Sequence, residues 1–466
     1  MDFGWLLAGA VNSIVVGARW LGRQEASTLA SLSGVVALVW VVGALGRRWR
    51  RRSTARKIAS EKLGDEARAL KERLRQRLAE PAGILPDVVI GAPTMGASQA
   101  FERDMEAAAK TMLIEAGGHR AKAKRVLRSR LDGNGALNGS EIGYWRQLGA
   151  LSLLDSTHDA LAAYSRAADL APNDPEGQML FGVLSLRAGK LDAAEAAFRR
   201  QIRLGGAEDG GLARYRGGTM LGDVFVARAA FDDALNAYQD AQREVMALLE
   251  KDPENPALQR DLSVTCDRVG DVLVGKGDLD AALESYRCGL GIAETLAKRD
   301  PKHAGWQRDL SVSHDRIGEI LIKTGDLAGA LESFRQGLAI AERLAASHAH
   351  DLEWQWDLSL SHDRVGDVLA AMGKPAEALE SYRRGLAIAE EVAPQDPANF
   401  ARQRELAVSY HKAGLIEAAC QNSDEARDLL EKGRAIIARL ERIASYRAQW
   451  RSDLLRFDTA LRALGP

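Results

Sequence analysis

Six carboxylates recur in one phrase, Asp267-Arg-Val-Gly-Asp271, Asp315-Arg-Ile-Gly-Glu319 and Asp363-Arg-Val-Gly-Asp367. Residues four apart share one face of a helix, so in a helical phrase both acids point the same way, with Arg268, Arg316 or Arg364 beside them. Two chemistries are open to this set. The acids can attract a cationic segment along a line of negative charge, or the arginines can neutralise them in ion pairs of the common, weak kind. Just before each phrase stands Cys266, His314 or His362, and Tyr410 takes that place in a fourth copy. Equivalent residues on stacked helices lie about 10 Å apart, whereas zinc ligands converge to about 2 Å from one ion. These four are therefore read as packing residues and not as a metal ladder.

Two weaker constellations read the same way. The loop from Arg130 to Glu141 places Asp132, Asn134, Gly135, Leu137 and Glu141 much as a calcium-binding helix-loop-helix does, but Arg130 stands where the first carboxylate ligand should be. A cation there repels calcium, so the loop is read as a helix-connecting turn. His348 and His350 have no partner cysteines nearby. No phosphate-binding Gly-rich loop, His-Glu-x-x-His or Gly-x-Ser-x-Gly occurs, and no strand is evident. The expectation is a non-enzyme without cofactor or metal.

The elements that carry the acids repeat. Gln259-Arg-Asp-Leu-Ser-Val, Gln307-Arg-Asp-Leu-Ser-Val, Gln355-Trp-Asp-Leu-Ser-Leu and Gln403-Arg-Glu-Leu-Ala-Val follow one another at intervals of 48 residues. A fixed period of this size marks stacked units that bury their apolar faces on their neighbours. In the first unit Leu262, Cys266, Val269 and Leu273 form one helical stripe, and Leu279, Ala282, Leu283, Tyr286, Leu290, Ala293 and Leu296 form another. Between them Gly277 suits a left-handed C-cap and Asp278 an N-cap, and Pro301 closes the second helix. Each unit is thus two antiparallel helices of roughly 20 residues.

Cys266, Val269-Gly270, Leu273, Ala282, Tyr286 and Gly289 resemble the tetratricopeptide repeat pattern, as do His314, Ile317-Gly318, Leu321, Ala330, Phe334 and Gly337, and His362, Val365-Gly366, Leu369, Ala378, Tyr382 and Gly385. Units of about 34 residues fit earlier, at Trp145, Leu148-Gly149, Ala160, Tyr164, Ala167 and Pro172, then at Gly182, Ala194 and Phe198. Leu221-Gly222, Ala234, Tyr238 and Ala241 begin the long period. The resemblance covers roughly residues 140 to 448. The long units are similar to kinesin-light-chain repeats, and the fourth has Leu430 in place of the aromatic. The resemblance implies an all-α fold, a right-handed α-solenoid. It also implies that Asp267, Asp271, Asp315, Glu319, Asp363 and Asp367 line a concave groove where peptides bind. The Lys and Asn set of the carboxylate-clamp subfamily is missing, so a chaperone's acidic C-terminus is not implied.

Residues 1–52 are suited to a different solvent. Residues 28–46 carry no charge and run long enough to cross a bilayer, and Arg47, Arg48, Arg50, Arg51, Arg52, Arg56 and Lys57 follow. This pattern predicts a transmembrane helix with its basic end, and so the repeats, on the cytoplasmic side. Residues 3–21 are expected to form a first membrane helix, with an interfacial amphipathic helix as the rival. The arginines can also attract anionic lipid headgroups.

Residues 53–96 read as a charged helical stalk followed by a Pro/Gly linker. Residues 97–139 read as a helical hairpin broken at Gly117-Gly118. Two standard units follow over 140–210, long units over 211–448 and a closing helix over 449–466. A net charge of -1 gives no global reason to bind nucleic acid. Cys266, Cys288 and Cys420 show no disulfide framework, in keeping with a reducing compartment.

These readings converge on an inner-membrane scaffold whose repeats face the cytoplasm and bind a protein or peptide, for instance a basic segment. The long repeats are similar to those of bacterial signalling proteins, although no effector domain is present. A regulatory sensor subunit for a separately encoded enzyme and an assembly or secretion chaperone are the alternatives.

Overall fold

The computed structural model describes residues 68–70, 73 and 95–465, apart from 117–118, 133–139, 206–209, 398 and 444–447. The proposed membrane segments at 3–21 and 28–46, the arginine cluster, nearly all of the stalk and the linker up to residue 94 lie outside the described residues, as does most of the 130–141 loop. No helix among the described residues is long and apolar enough to cross a membrane.

Among the described residues all regular structure is helical. The chain divides into two compact units, one containing Met105–Val126 and the other containing Asp104 and everything from Leu127 onward. In the first, Met105, Ala108, Ala109 and Ala123 are buried. The second is a stack of helical hairpins: α1 (Ser140–Leu153) with α2 (Thr157–Leu170), α3 (Pro175–Arg187) with α4 (Leu191–Leu204), and α5 (Gly210–Ala227) with α6 (Phe231–Lys251). Next come α7 (Pro256–Lys276) with α8 (Leu279–Arg299), α9 (Ala304–Thr324) with α10 (Leu327–Ser347), α11 (Leu352–Ala371) with α12 (Pro375–Val392), and α13 (Phe400–Ala419) with α14 (Ser423–Ile443). A last helix, α15 (Ala448–Ala463), follows and packs on α14. These stacked antiparallel hairpins form an α-solenoid.

Local chemistry sets each boundary. Asn255 Oδ1 accepts from the amides of Ala257 and Leu258 at 3.1 and 3.3 Å, and Pro256 opens α7 where no amide is needed. At the far end Gly277 takes φ +81°, a left-handed conformation nearly free of cost only for glycine. Asp278 then caps α8 through the Ala281 amide at 3.2 Å, and α8 stops at Arg299, two residues before Pro301.

The repeated glycine is a steric requirement. A methyl group on Gly270 would lie 2.5 Å from the Tyr286 ring, and one on Gly318 or Gly366 would lie 2.7 Å from Phe334 or Tyr382. The ring therefore packs directly on the backbone of the first helix, and the two helices approach closely. In the fourth unit Leu430, 1% exposed, takes the ring's place against Gly414. One apolar cluster runs through successive units by way of Tyr286, Phe334, Tyr382 and Tyr410. Trp450 and Phe457 of α15 cover its end together with Leu430, Ile437 and Leu440 of α14.

Two polar side chains of the opening phrase pin the hairpins. Gln307, Gln355 and Gln403 donate through Nε2 to the carbonyls of Ala297, Ala345 and Ala393 at 3.2, 3.1 and 2.6 Å, satisfying the frayed end of the preceding second helix. Ser263, Ser311 and Ser359 donate through Oγ to the carbonyls of Gly289, Gly337 and Gly385 at 3.0, 3.1 and 2.9 Å, tying the first helix to its own partner. Upstream, the buried Asp104 accepts from Arg146 Nε at 3.0 Å and from the Tyr164 hydroxyl at 2.9 Å.

Candidate binding face

The six acids divide into an inner and an outer row. Asp267, Asp315 and Asp363 turn inward, and one oxygen of each has no hydrogen-bond partner. That oxygen lies 2.8 to 3.0 Å from where a methyl group on Gly289, Gly337 or Gly385 would stand, so the carboxylate packs on the glycine of its own second helix. Burial pushes the Asp267 carboxyl up to about 7 and those of Asp315 and Asp363 up to about 6. Nearby cations only partly offset the loss of water: Arg316 is 3.9 Å from Asp267, and Arg364 is 3.1 Å from Asp315. Asp363 accepts from Ser409 Oγ at 2.5 Å.

Asp271, Glu319 and Asp367 form the outer row, and each is met by a cation from the next unit. Arg316 bonds Asp271, Arg364 lies 3.8 Å from Glu319, and Lys412 donates to Asp367 at 2.8 Å. Arg268 pairs in the same way with the buried Asp223 of the preceding unit. Within each unit the tyrosine hydroxyl completes the set: Tyr238 donates to Asp223 at 2.5 Å, Tyr286 to Asp271 at 2.7 Å and Tyr382 to Asp367 at 2.6 Å. Where the ring is Phe334 and has no hydroxyl, the acid is the longer Glu319. The outer acids are thus joined into neutralised links between units, not a bare acidic track.

A second row of ion pairs joins successive units about two to three turns earlier. Arg260 bonds Asp309 at 2.5 and 3.0 Å, Arg308 bonds Asp357 at 2.8 Å, and Arg404 bonds Asp453 at 2.7 Å. Trp356 interrupts the row, and there Arg402 stacks over its ring at 5.2 Å while bonding Glu353 at 2.6 Å.

Between the two charged rows runs an apolar line, Val264, Val312, Leu360 and Val408, at the same register of each first helix. Three are half-buried, and Val312 is 39% exposed. The line deepens into a cleft of about 230 Å³ between neighbouring units, lined by Arg308, Val312, Asp315, Trp354, Leu360 and Arg364. The Arg308 guanidinium lies 5.6 Å above the Trp354 ring on its wall. At less than about 300 Å³ it is small for a metabolite but can seat a side chain or two.

Cys266, His314, His362 and Tyr410 are buried at the hairpin interfaces, and desolvation lowers the pKa of both histidines. The apolar line stands in plain view in the opening phrase, where its residues serve at first sight only to mark the register. Its signal is the contrast between an aliphatic residue in all four copies and the basic residue four after it, with an arginine four before it in every copy but the one that has Trp356.

No family model matches the chain, and no curated protein matches it. Among solved structures it is similar to BtubC from P. vanneervenii, at 16% identity over 54% of this chain and 92% of that one, with a TM-score of 0.44. It is similar also to a STAND protein with a tetratricopeptide repeat sensor from Pyrococcus horikoshii, at 10% identity over 74% of this chain and 49% of that one, with a TM-score of 0.47. A Rap protein complexed with competence and sporulation factor matches at 13% identity over 79% of this chain and 99% of that one, with a TM-score of 0.39.

Proposed function

We propose that this chain is a non-catalytic scaffold, held at the inner membrane by residues 1–52 with its repeats in the cytoplasm, and that it binds a protein or peptide along its first helices. The observation that carries the reading is the apolar line Val264, Val312, Leu360 and Val408, flanked by ion-paired rows and opening into the cleft beside Trp354. Paired charges keep the rims wet and oriented, while the apolar line offers area that an extended or helical segment can cover. Because each outer acid already holds a cation, the favoured partner is an apolar segment with interspersed charges, its basic residues competing for Asp271, Glu319 and Asp367. Anchoring rests on the uncharged run at 28–46 and the arginines after it.

The test is capture from detergent-solubilised membranes, followed by mass spectrometry, comparing the wild type with the double variant Val312→Glu, Leu360→Glu. A partner retained by the wild type and lost by a variant with unchanged circular dichroism supports the reading; equal capture by both refutes it. A C-terminal reporter active only in the periplasm should stay silent.

A further inference from the structure

The unit built from α7 and α8 holds a pair of neighbouring thiols. Cys266 on α7 and Cys288 on α8 have their sulfurs 3.0 Å apart. Cys266 is 1% exposed and Cys288 is open to solvent. Hydroxyl-to-carbonyl bonds hold the two helices together at this level: Ser285 Oγ donates to the Cys266 carbonyl at 2.8 Å, and Ser263 Oγ donates to the Gly289 carbonyl at 3.0 Å. The next residues along, Asp267 and Gly289, are in direct contact across the same seam. Later units keep this scaffolding, with Ser381 Oγ on the His362 carbonyl at 2.9 Å, but place His314 with Gln336 and His362 with Arg384 where the thiols stand here. Gln242 from the preceding unit donates to the Cys266 sulfur at 3.4 Å.

We propose that Cys266 and Cys288 form an oxidisable dithiol, at which a peroxide-class oxidant converts this unit reversibly to an internally disulfide-linked form. Closing the bond requires the sulfurs, 3.0 Å apart, to approach by about 1 Å, to the usual separation of about 2.05 Å. The hydrogen bond from Cys266 lowers the pKa of the exposed Cys288 to about 6, while the same contact and burial raise that of Cys266. Cys288, the solvent-exposed sulfur of the pair, is the one an oxidant can reach and is the attacking group. Its thiolate, whose proton has passed to the solvent, displaces hydroxide from hydrogen peroxide: an S–O bond forms, the O–O bond breaks, and the hydroxide takes up that proton and leaves as water. Cys266 sulfur then attacks the sulfenic sulfur; the S–S bond forms, the S–O bond breaks, and hydroxide departs with the Cys266 proton as water. Two thiols and one peroxide give one disulfide and two waters, and a dithiol reductant returns both protons and electrons.

The full chain, reduced in detergent and then exposed to hydrogen peroxide, should fall from three titratable thiols to one. Proteolysis should yield the peptides of Cys266 and Cys288 joined and lighter by two hydrogens, and dithiothreitol should restore all three thiols. In Cys266→Ser, whose fold circular dichroism can check, Cys288 should accumulate as a sulfenic acid trapped by dimedone. In Cys288→Ser, oxidation of Cys266 should slow by roughly ten-fold or more. Persistence of three thiols, a link through Cys420, or undiminished oxidation of Cys266 without Cys288 would each overturn the proposal.

Discussion

Arg316 of one unit is bonded to Asp271 of the unit before it, across 45 residues, and the same step joins Arg268 to Asp223 and Lys412 to Asp367. The phrase that holds Arg268 or Arg316 also holds the acids of its own unit, so those copies donate backward and accept from ahead, whereas the copy with Lys412 has His411 and Leu415 at the acid positions and only donates. The links are therefore as periodic as the core.

Their contributions should differ with burial. Arg268 and Asp223 have side chains 12% and 2% exposed, so Arg268→Gln leaves a buried carboxylate without its cation and should cost about 3 to 5 kcal/mol in urea unfolding. Arg434 and Asp458, 44% and 41% exposed, form a comparable pair in open solvent. There Arg434→Gln should cost about 1 kcal/mol or less. Equal costs would show that the ladder does not act through desolvation.

Glycine substitutions separate packing from backbone propensity. Gly318→Ala drives a methyl group to 2.7 Å from the Phe334 ring and should destabilise by about 1 to 3 kcal/mol. Gly291, on α8, has nothing within 4 Å of an added methyl group, so Gly291→Ala should stabilise by about 0.5 to 1 kcal/mol. Thermal melts of the two variants should therefore move in opposite directions.

The buried acids make stability depend on pH. The Asp267 carboxyl titrates near 7 when folded, against an ordinary value of 3.8, so the folded state binds the proton more tightly and this residue's contribution falls as pH rises from about 4 to about 7. His314 and His362, whose pKa values burial lowers, act in the opposite sense as pH falls through about 6.5. The comparison must therefore be between variant and wild type. Asp267→Asn, which keeps the shape without the charge, should gain in melting temperature relative to wild type between pH 5 and pH 8. A difference that does not change with pH would remove the desolvated carboxylate from the account.

Deleting residues 307–354 removes one whole period. It brings Arg364 to the place of Arg316, opposite Asp271, and Asp357 to the place of Asp309, opposite Arg260, so both rows of links can form again. The shortened chain should keep its helicity and unfold cooperatively. Ending the chain at residue 330 instead exposes the unpartnered stripe of α9 and should cause aggregation in size-exclusion chromatography.

Much of the fold was legible because helical repeats write their packing into a period: the caps at Gly277 and Asp278 follow from residue type and position, and Gly270 and Tyr286 stand out through the resemblance to the tetratricopeptide pattern. The exchange of Asp and Tyr for Glu319 and Phe334 was also visible, yet its meaning needs the hydroxyl-to-carboxylate contact that only the folded hairpin shows. The six acids were legible as a set, but not their division into inner and outer rows. Asp267 and Asp271 lie one turn apart, and the first faces Gly289 only because two helices meet there. Cys266 and Cys288 fall on different helices of one hairpin, where sequence spacing carries no periodic signal. That separation concealed their contact.

Position 312 offers the most direct test of the binding face. A photo-crosslinking amino acid placed there, on the exposed part of the apolar line, and one placed at Met246, 51% exposed on the second helix α6, sample the two faces of the array at similar accessibility. Irradiation of intact cells should give a discrete adduct from position 312 and none of that mass from position 246. An adduct from position 246 alone would contradict the account and move the binding surface to the second helices.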